Sequence, residues 1–255
     1  MTALLALIVN GFRESRRNRV TVVVFLFAFA MIFAATFALE FTVVTFARVI
    51  TDIGLGVMSL IAVFLSIFLS TALLPKEIER RTIFIVMSKP ISRSAFVVGR
   101  FLGALATVAF VTLIMAVLFW AQLLVQGAPI GHPHFAAFVG VLLEVIILSA
   151  VGFLFATFAS QYVAVSSTIG LYFVGHMSRD VYAMAVRSES AITKALAYAA
   201  YYLLPNLERV DFKQRATYLD PTSWGELGSA TVYALAYASV LLALGCFLFE
   251  RRDFK

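Results

Sequence analysis

The sequence predicts an all-α, polytopic membrane protein with six transmembrane helices in a single domain. Of its 255 residues, 62% are hydrophobic and only 13% are charged, whereas an ordinary soluble domain has about 45–50% apolar and about 25% charged residues. The apolar residues form uncharged runs long enough to cross about 30 Å of hydrocarbon as helices. These runs lack the period-two alternation of barrel strands, so helices are the remaining way to satisfy the backbone in lipid.

Six such runs follow one another along the chain. They cover residues 20–39, 53–74, 101–125, 135–159, 162–177 and 227–249. Ahead of the first run, Leu4, Leu5, Ile8 and Phe12 recur at helical spacing, which predicts a short interfacial helix in the plane of the headgroups. The first run is longer than the about 7 to 15 apolar residues of a signal peptide, so we expect it to remain as a span.

The basic residues between the runs indicate orientation, because positively charged short loops stay in the cytoplasm. Four arginines precede the first run, six basic residues lie in the loop 75–100, and three lie in the tail. Both termini and the loop 75–100 are therefore predicted to be cytoplasmic, and the loop 178–226 is predicted to be outside.

The sequence of the predicted outer loop 178–226 indicates local secondary structure. Apolar residues from Ile192 to Leu203 recur on one helical face, which predicts a surface helix ending before Pro205. Ser223 with the glutamate three residues later forms a capping box that starts the last span. The loop is expected either to dock an outer-side protein or to gate an outer exit, and a lid without specificity is the alternative.

Several classes of function are excluded by missing motifs. The sequence contains no GxSxG, no HExxH and no GxxxxGK[ST], so it predicts no nucleophile, no metalloprotease centre and no phosphate loop. The net charge of +6 is explained by cytoplasmic loops, so we predict no nucleic-acid partner. The single cysteine cannot form an internal disulfide. We expect a non-catalytic chain without a cofactor of its own.

Four polar residues are candidates for a functional site. Glu144 lies inside the fourth run, where a carboxylate costs at least about 2.5 kcal/mol, so it should face another helix or a wet cavity. It marks either a transport path or subunit interface, or a structural hydrogen bond. His132, His134 and His176 fall on the outer side, and imidazole is a common ligand for copper and zinc. They are candidate metal ligands, with interfacial polar residues as the alternative.

The inner loop is the most ordered of the connecting sequences. It reads Pro75-Lys-Glu-Ile-Glu-Arg-Arg-Thr-Ile-Phe-Ile-Val-Met-Ser-Lys-Pro-Ile-Ser-Arg93 and continues to Gly99-Arg100. We predict a helix that begins after Pro75 and ends before Lys89, because a residue preceding proline avoids helical backbone. Its charged first half would face the cytoplasm and its apolar second half the bundle. A solvated loop that only sets topology is the alternative.

This inner loop resembles that of ATP-binding-cassette (ABC) permeases of the second exporter type. The likeness lies in Glu77-Ile-Glu-Arg-Arg-Thr-Ile, in Ser88-Lys-Pro-Ile-Ser-Arg93 and in Gly99-Arg100. Tyr201-Tyr-Leu-Leu-Pro-Asn-Leu-Glu208 and the ending Phe249-Glu-Arg-Arg-Asp-Phe254 agree with it. The resemblance extends from the basic N-terminal segment to the tail. It is closest to the subgroup labelled multicopper-enzyme or nitrous-oxide-reductase maturation permeases.

The resemblance implies a membrane-spanning permease subunit of the cell inner membrane. It would pair with a second copy, as a homodimer, and with cytoplasmic ABC ATPase subunits that bind ATP and Mg. The inner loop would act as the coupling helix, seated on the ATPase. The implied coupling residues are Glu77, Glu79, Arg80, Arg81, Thr82, Ser88, Lys89, Pro90, Ser92 and Arg93. The apolar residues Ile83, Phe84, Val86 and Met87 would hold that helix to the bundle.

The sequence does not identify the substrate. A sulfur or copper species, a lipid or a peptide are candidates, and so is pure force transmission to an outer partner. The main alternative is a secondary transporter or channel driven by an ion gradient, which should carry several ionisable groups inside the membrane. A membrane enzyme and a structural anchor are further alternatives.

Overall fold

The computed structural model describes residues 22–34, 46–79 and 93–251, and every regular element in these ranges is helical. The helices are α1 (Val22–Ala34), α2 (Phe46–Glu79), α3 (Arg93–Val125), α4 (His132–Phe158), α5 (Gln161–His176), α6 (Ser178–Arg187), α7 (Ala191–Leu203), α8 (Lys213–Tyr218) and α9 (Trp224–Glu250), with a 3₁₀ turn at Leu207–Val210. The all-α prediction is confirmed for this part of the chain. The predicted interfacial helix lies outside the described residues.

Among the helices of the described residues, four are long and apolar enough to cross a membrane. The candidate spans are Phe46–Ala72, Ser94–Val125, His132–Phe158 and Trp224–Glu250. Of the predicted first span, the described part is the 13-residue α1, and the predicted fifth span is the 16-residue α5. Six spans therefore stay a prediction, as does the orientation of the termini.

Two of the long helices begin earlier than the apolar runs indicate. The run that predicts a span from residue 53 belongs to a helix that starts at Phe46, and the run from residue 101 belongs to one that starts at Arg93. Both extensions carry charged residues, such as Arg48 and Arg100. A charge-free run marks the hydrocarbon, whereas a helix continues past it into polar surroundings.

The helix α4 is the centre of the bundle. It packs against α2, α3, α5, α8 and α9, and it is the most deeply buried of the four long helices. Several hydroxyl groups inside the bundle are satisfied within their own helix, as Thr107 donates to the carbonyl of Gly103 and Thr112 to that of Val108. Such bonds within one helix let polar side chains lie in an apolar interior.

The connection after α5 does not stay at the surface. The helices α6 and α7 pack against each other as a hairpin, and the predicted helix up to Leu203 is confirmed. The chain then turns inward, and residues 205–218 lie among α2, α4, α5 and α9. We call residues 205–218 the inward segment. Its apolar side chains Leu207, Val210, Phe212 and Ala216 are buried in the main core.

Candidate functional site

Glu144 is the centre of a buried polar cluster between α2, α4, α5 and the inward segment. Its side chain is 2% exposed. It follows the first residue of α4 by twelve positions, which places it about 18 Å along a helix of about 40 Å. A carboxylate at that depth needs charged or hydrogen-bonding partners.

One carboxylate oxygen of Glu144, Oε2, is held by two groups. The Ser59 hydroxyl of α2 donates to it at 3.2 Å, and the Lys213 ammonium of α8 lies 3.5 Å from it. Lys213 also donates to Ser59 Oγ at 3.1 Å and lies 3.4 Å from Asp211 Oδ2. A residue of the loop 178–226 thereby forms a buried ion pair with the middle of α4.

The other oxygen, Oε1, faces His176. The distance from Glu144 Oε1 to His176 Nε2 is 3.3 Å, and the opposite ring nitrogen, Nδ1, lies 3.1 Å from the carbonyl oxygen of Tyr172. The turn between α4 and α5 explains this meeting. Glu144 precedes Phe158 by fourteen residues and His176 follows Gln161 by fifteen, so both lie about 21–22 Å from the turn on antiparallel helices.

Two glycines let the inward segment approach the bundle. A Cβ at Gly140 of α4 would collide with the carbonyl oxygen of Val210, and one at Gly175 of α5 would lie 2.8 Å from the carbonyl oxygen of Pro205. Only glycine leaves room for backbone at these distances. The position of Lys213 therefore depends on small residues in two other helices.

The charge of Lys213 is maintained by its neighbours. Burial by itself would lower the pKa of Lys213, but the carboxylates of Glu144 and Asp211 outweigh that effect and raise the pKa above its ordinary value. The charge of Lys213 therefore stabilises the fold fully below the ordinary lysine pKa of about 10.4. That contribution is lost only as pH rises through the raised value.

Two tyrosines of α9 bind the backbone between the end of α7 and the start of the inward segment. The backbone N–H of Asn206 donates to the Tyr233 hydroxyl at 2.7 Å, and the Tyr237 hydroxyl donates to the carbonyl of Leu203 at 3.0 Å. These bonds satisfy backbone groups at and just after the end of α7, where no intrahelical partner is available. They fix the point at which the inward segment begins.

We expect Tyr233→Phe to lower the free energy of unfolding by about 1 kcal/mol, because the half-buried N–H of Asn206 loses its acceptor. Tyr237→Phe, at a more exposed bond, is the matched control and should cost less. Equilibrium unfolding of the full chain in mixed micelles measures both. Equal stability of Tyr233→Phe and the unaltered protein would show that this bond does not hold the segment.

The three histidines have different partners. His132 packs its ring against Trp224 with centroids 4.3 Å apart, His134 Nδ1 accepts from the N–H of Gly131 at 3.3 Å, and His176 faces Glu144. In residues 22–34, 46–79 and 93–251, no group of three or more His, Cys, Asp or Glu side chains could hold a metal ion. The candidate metal ligands are therefore not brought together in this part of the chain.

The chain as a whole matches one family model. Residues 5–254 match the model described as "ABC-2 family transporter protein". The chain belongs to the ABC-2 transporter family. No curated protein matches it. Membership makes the chain a membrane permease subunit of an ABC transporter, a class that works with an ABC ATPase. The family description names no maturation subgroup, so that closer resemblance stays a prediction.

The residues that the resemblance predicts for coupling in this ABC-2 permease lie at or beyond the boundary of the described residues. Glu77 and Glu79 belong to the last turns of α2, and Arg93 is the first residue of α3. The predicted positions Arg80, Arg81, Thr82, Ser88, Lys89, Pro90 and Ser92 lie outside the described residues. The helix does not begin after Pro75, as the sequence indicated, but runs through it from Phe46. A membrane helix tolerates the one backbone bond that proline removes.

In this ABC-2 permease, sequence patterns indicate Glu144 but not its partners Ser59, Asp211 and Lys213. The spacing of Glu144 and His176 does carry a signal, because both lie almost equally far from the short turn after Phe158, which predicts that they lie at the same height. No comparable signal identifies Lys213, because it lies in a loop with six basic and six acidic residues.

Proposed function

We propose that this chain is the permease subunit of an ATP-driven ABC transporter that couples ATP hydrolysis in a separate cytoplasmic ATPase to export, or to conformational work, across a bacterial-type inner membrane. The family match over residues 5–254 supports the permease assignment. The sequence contains no phosphate loop, so hydrolysis is assigned to the partner. A second copy of the chain would complete the transmembrane unit. ATP and Mg would be bound by the partner ATPase.

The continuity of α2 is the observation that carries the coupling proposal. This one helix contains Ser59, which contacts the polar cluster, and ends at Glu79, where the coupling loop begins. Twenty residues of helix separate them, about 30 Å. Since a helix moves as a unit, a displacement at Glu79 would be transmitted to Ser59 and to Glu144. Two arrangements of the cluster would then correspond to two states of the transporter.

The inward segment is proposed as the outer gate. By the positive-inside bias, the end of α4 at His132 lies outside, and the inward segment enters the bundle from that end. It fills the space among α2, α4, α5 and α9 down to Glu144. Its withdrawal would open a path lined by the polar cluster. The cargo is not identified by these groups, and a maturation role for a metalloenzyme rests on the resemblance alone.

The coupling proposal is tested by replacing Glu79 and Arg80 together with alanine. We expect the ATPase rate of the partner, measured with the chain in nanodiscs, to lose most of its stimulation, since charged contacts that transmit motion are removed. Copurification with a subunit carrying GxxxxGK[ST] should weaken as well. The abundance of inserted chain should not change, because about five basic residues remain in the loop 75–100 to keep it in the cytoplasm.

The matched control replaces Arg187 and Glu189 together with alanine; both are exposed, Arg187 is the last residue of α6, and Glu189 follows it by two positions. It removes the same charges at the opposite end of the permease, and the ATPase rate should stay normal. Full stimulation and normal copurification of Glu79→Ala with Arg80→Ala would instead show that the inner loop is only a tether.

One observation favours the ion-gradient alternative. Glu144, His176, Lys213 and Asp211 form a group of several ionisable side chains inside the bundle, which a secondary transporter should have. The two functions differ in their need for ATP. Proton uptake into proteoliposomes of the chain alone, driven by an imposed pH gradient, would support the alternative and oppose the ATP-driven proposal.

A further inference from the structure

The helix α7 exposes a continuous apolar stripe. Ile192, Leu196, Ala199 and Leu203 recur every three or four residues along it, so they share one side of the helix. All four are exposed, and the three large side chains among them are 67–77% exposed. We call these four residues the α7 stripe. Removing such a surface from water is favourable, so the stripe fits an apolar partner.

The α7 stripe points away from α6, which is the main partner of α7 within the described ranges. Tyr198 and Tyr201 contact the ring of Tyr182 in α6, with centroids 6.1 Å and 5.0 Å apart. Tyr201 follows Ile192 by nine positions, about two and a half turns of helix. These two side chains therefore point to opposite sides of α7. Lys194, two positions after Ile192, lies about 200° from it and so on the side of Tyr201.

The hairpin of α6 and α7 has a charged layer and an apolar layer. Arg179, Asp180 and Arg187 of α6 are exposed, and Arg179 Nε lies 3.3 Å from Glu208 Oε2. Since α6 covers the side of α7 opposite the stripe, these charges and Lys194 lie away from the stripe. The tyrosine rings lie between the two layers. Amphipathic helices of this kind lie in the membrane interface, where tyrosine is enriched.

Contacts with the long helices indicate the height of the hairpin in the membrane. The Tyr237 hydroxyl donates to the carbonyl of Leu203, and Tyr237 precedes Glu250, at the predicted inner end of α9, by thirteen residues. That is about 20 Å of helix, which places the end of α7 about 10 Å below the outer edge of about 30 Å of hydrocarbon. His176, beside the start of α6, follows Gln161 by fifteen residues, about 22 Å. Both ends of the hairpin therefore lie at the height of the outer leaflet.

The surroundings of the α7 stripe favour lipid over protein as its partner. The helix α9 is the least buried of the four candidate spans, and Val232, Leu235 and Val240 are exposed on it near Tyr237. Apolar side chains this exposed on a membrane span face acyl chains. The end of α7 adjoins this surface through the bond to Tyr237, so the stripe continues it. A water-soluble protein outside the membrane cannot reach a surface at this height.

We propose that α7 is an interfacial helix whose stripe is inserted into the outer leaflet of the bilayer, with lipid acyl chains as its partner and α6 on the water side. Since the chain continues from α7 into the inward segment, this insertion also fixes the height at which that segment enters the bundle. The inference does not rest on ATP coupling or on the gate, so it can fail while the proposed function holds, and the reverse.

The test places one fluorescent probe on each side of α7. In a Cys246→Ser background, Leu196→Cys and Lys194→Cys are labelled separately with bimane, and the full chain is reconstituted into nanodiscs. Both positions are exposed, so neither change removes a buried contact. They lie only about 3 Å apart along the helix axis, so a difference between them reports the side of the helix. Iodide measures contact with water, and lipids with a doxyl group on an acyl chain measure contact with hydrocarbon.

We expect iodide to quench the probe at position 196 several-fold less than the matched probe at position 194, and the doxyl lipid to show the reverse order. Equal quenching of the two probes by either quencher would overturn the proposal, because α7 would then have no side in lipid. Protection of the probe at position 196 from both quenchers would overturn it as well, because a protein surface, such as a second copy of the chain, would then cover the stripe.

A membrane-impermeant maleimide identifies the leaflet. It should label Lys194→Cys of the full chain, in the same Cys246→Ser background, in right-side-out membrane vesicles, because the charged layer of the hairpin is predicted to face the outer solution. Labelling only in inside-out vesicles would overturn the assignment of the α7 stripe to the outer leaflet.

Discussion

Replacing Lys213 with methionine is expected to lower the free energy of unfolding by about 3 kcal/mol. Removing one partner of a buried ion pair costs about 3–5 kcal/mol, because the other charge stays buried without compensation. The lower end applies here, since the Lys213 side chain keeps 21% exposure and Ser59 still donates to Glu144. Methionine preserves the length and the apolar stem of the side chain, so the loss of stability measures the contribution of the Lys213 charge.

Equilibrium unfolding of the full chain in mixed micelles measures this effect. Lys194→Met, at an exposed lysine of α7, is the matched control and should change stability by less than about 0.5 kcal/mol. In the double variant Lys213→Met with Glu144→Gln, the uncompensated charge is gone as well. The double variant should therefore be more stable than the sum of the single effects predicts, by about 1–3 kcal/mol.

The outcome distinguishes two descriptions of the cluster. A large loss in Lys213→Met that the second change relieves means that the inward segment is anchored by charge. Equal stability of Lys213→Met and the unaltered protein would mean that packing of Leu207, Val210 and Phe212 alone holds the segment. The ion pair would then contribute nothing to keeping the proposed gate closed.

Local sequence patterns predicted the parts of the fold that local forces determine. Uncharged runs located the four long helices, the capping box of Ser223 and Glu226 starts α9 with both reciprocal bonds present, and the turn after Phe158 is as short as the runs indicate. The helix before Pro205 ends as predicted. Each of these features depends on side chains within a few residues of one another.

The inward segment could not be predicted in this way. Its apolar residues alternate with Glu208, Arg209, Asp211 and Lys213, so its composition is that of a solvated loop. Tertiary contacts place it in the bundle. They are the space left by Gly140 and Gly175, the ion pair with Glu144, and the hydrogen bonds to the tyrosines of α9. The partners of Lys213 lie 69 and 154 residues away in the chain, beyond the range of any periodicity.

Gly140→Ala is expected to dislodge the inward segment although it adds one methyl group. The added Cβ would collide with the carbonyl oxygen of Val210 and lie 3.0 Å from the ring of Phe212. A backbone carbonyl cannot move aside as a flexible side chain does, so overpacking should cost about 1–3 kcal/mol. That exceeds the about 0.5–1 kcal/mol that alanine gains over glycine inside a helix.

Gly170→Ala is the matched control, because Gly170 is an exposed glycine inside α5 with nothing within 4 Å of its Cβ position. The two substitutions are chemically identical and are expected to differ in sign, with Gly140→Ala destabilising and Gly170→Ala neutral or stabilising. Equilibrium unfolding of the full chain measures both. The same sign at both positions would show that the inward segment yields to the added methyl without loss.

The single cysteine of the chain makes a second readout possible. In a Cys246→Ser background, Ala216→Cys places a thiol at a buried position of the inward segment. Maleimide labelling should be slow in this background, several-fold faster with Gly140→Ala, and unchanged with Gly170→Ala. A faster rate at lower stability would mean that the segment detaches while the long helices persist, as a gate requires. A lower stability with an unchanged labelling rate would mean that the segment and the bundle unfold together, and the segment would then be a fixed part of the core.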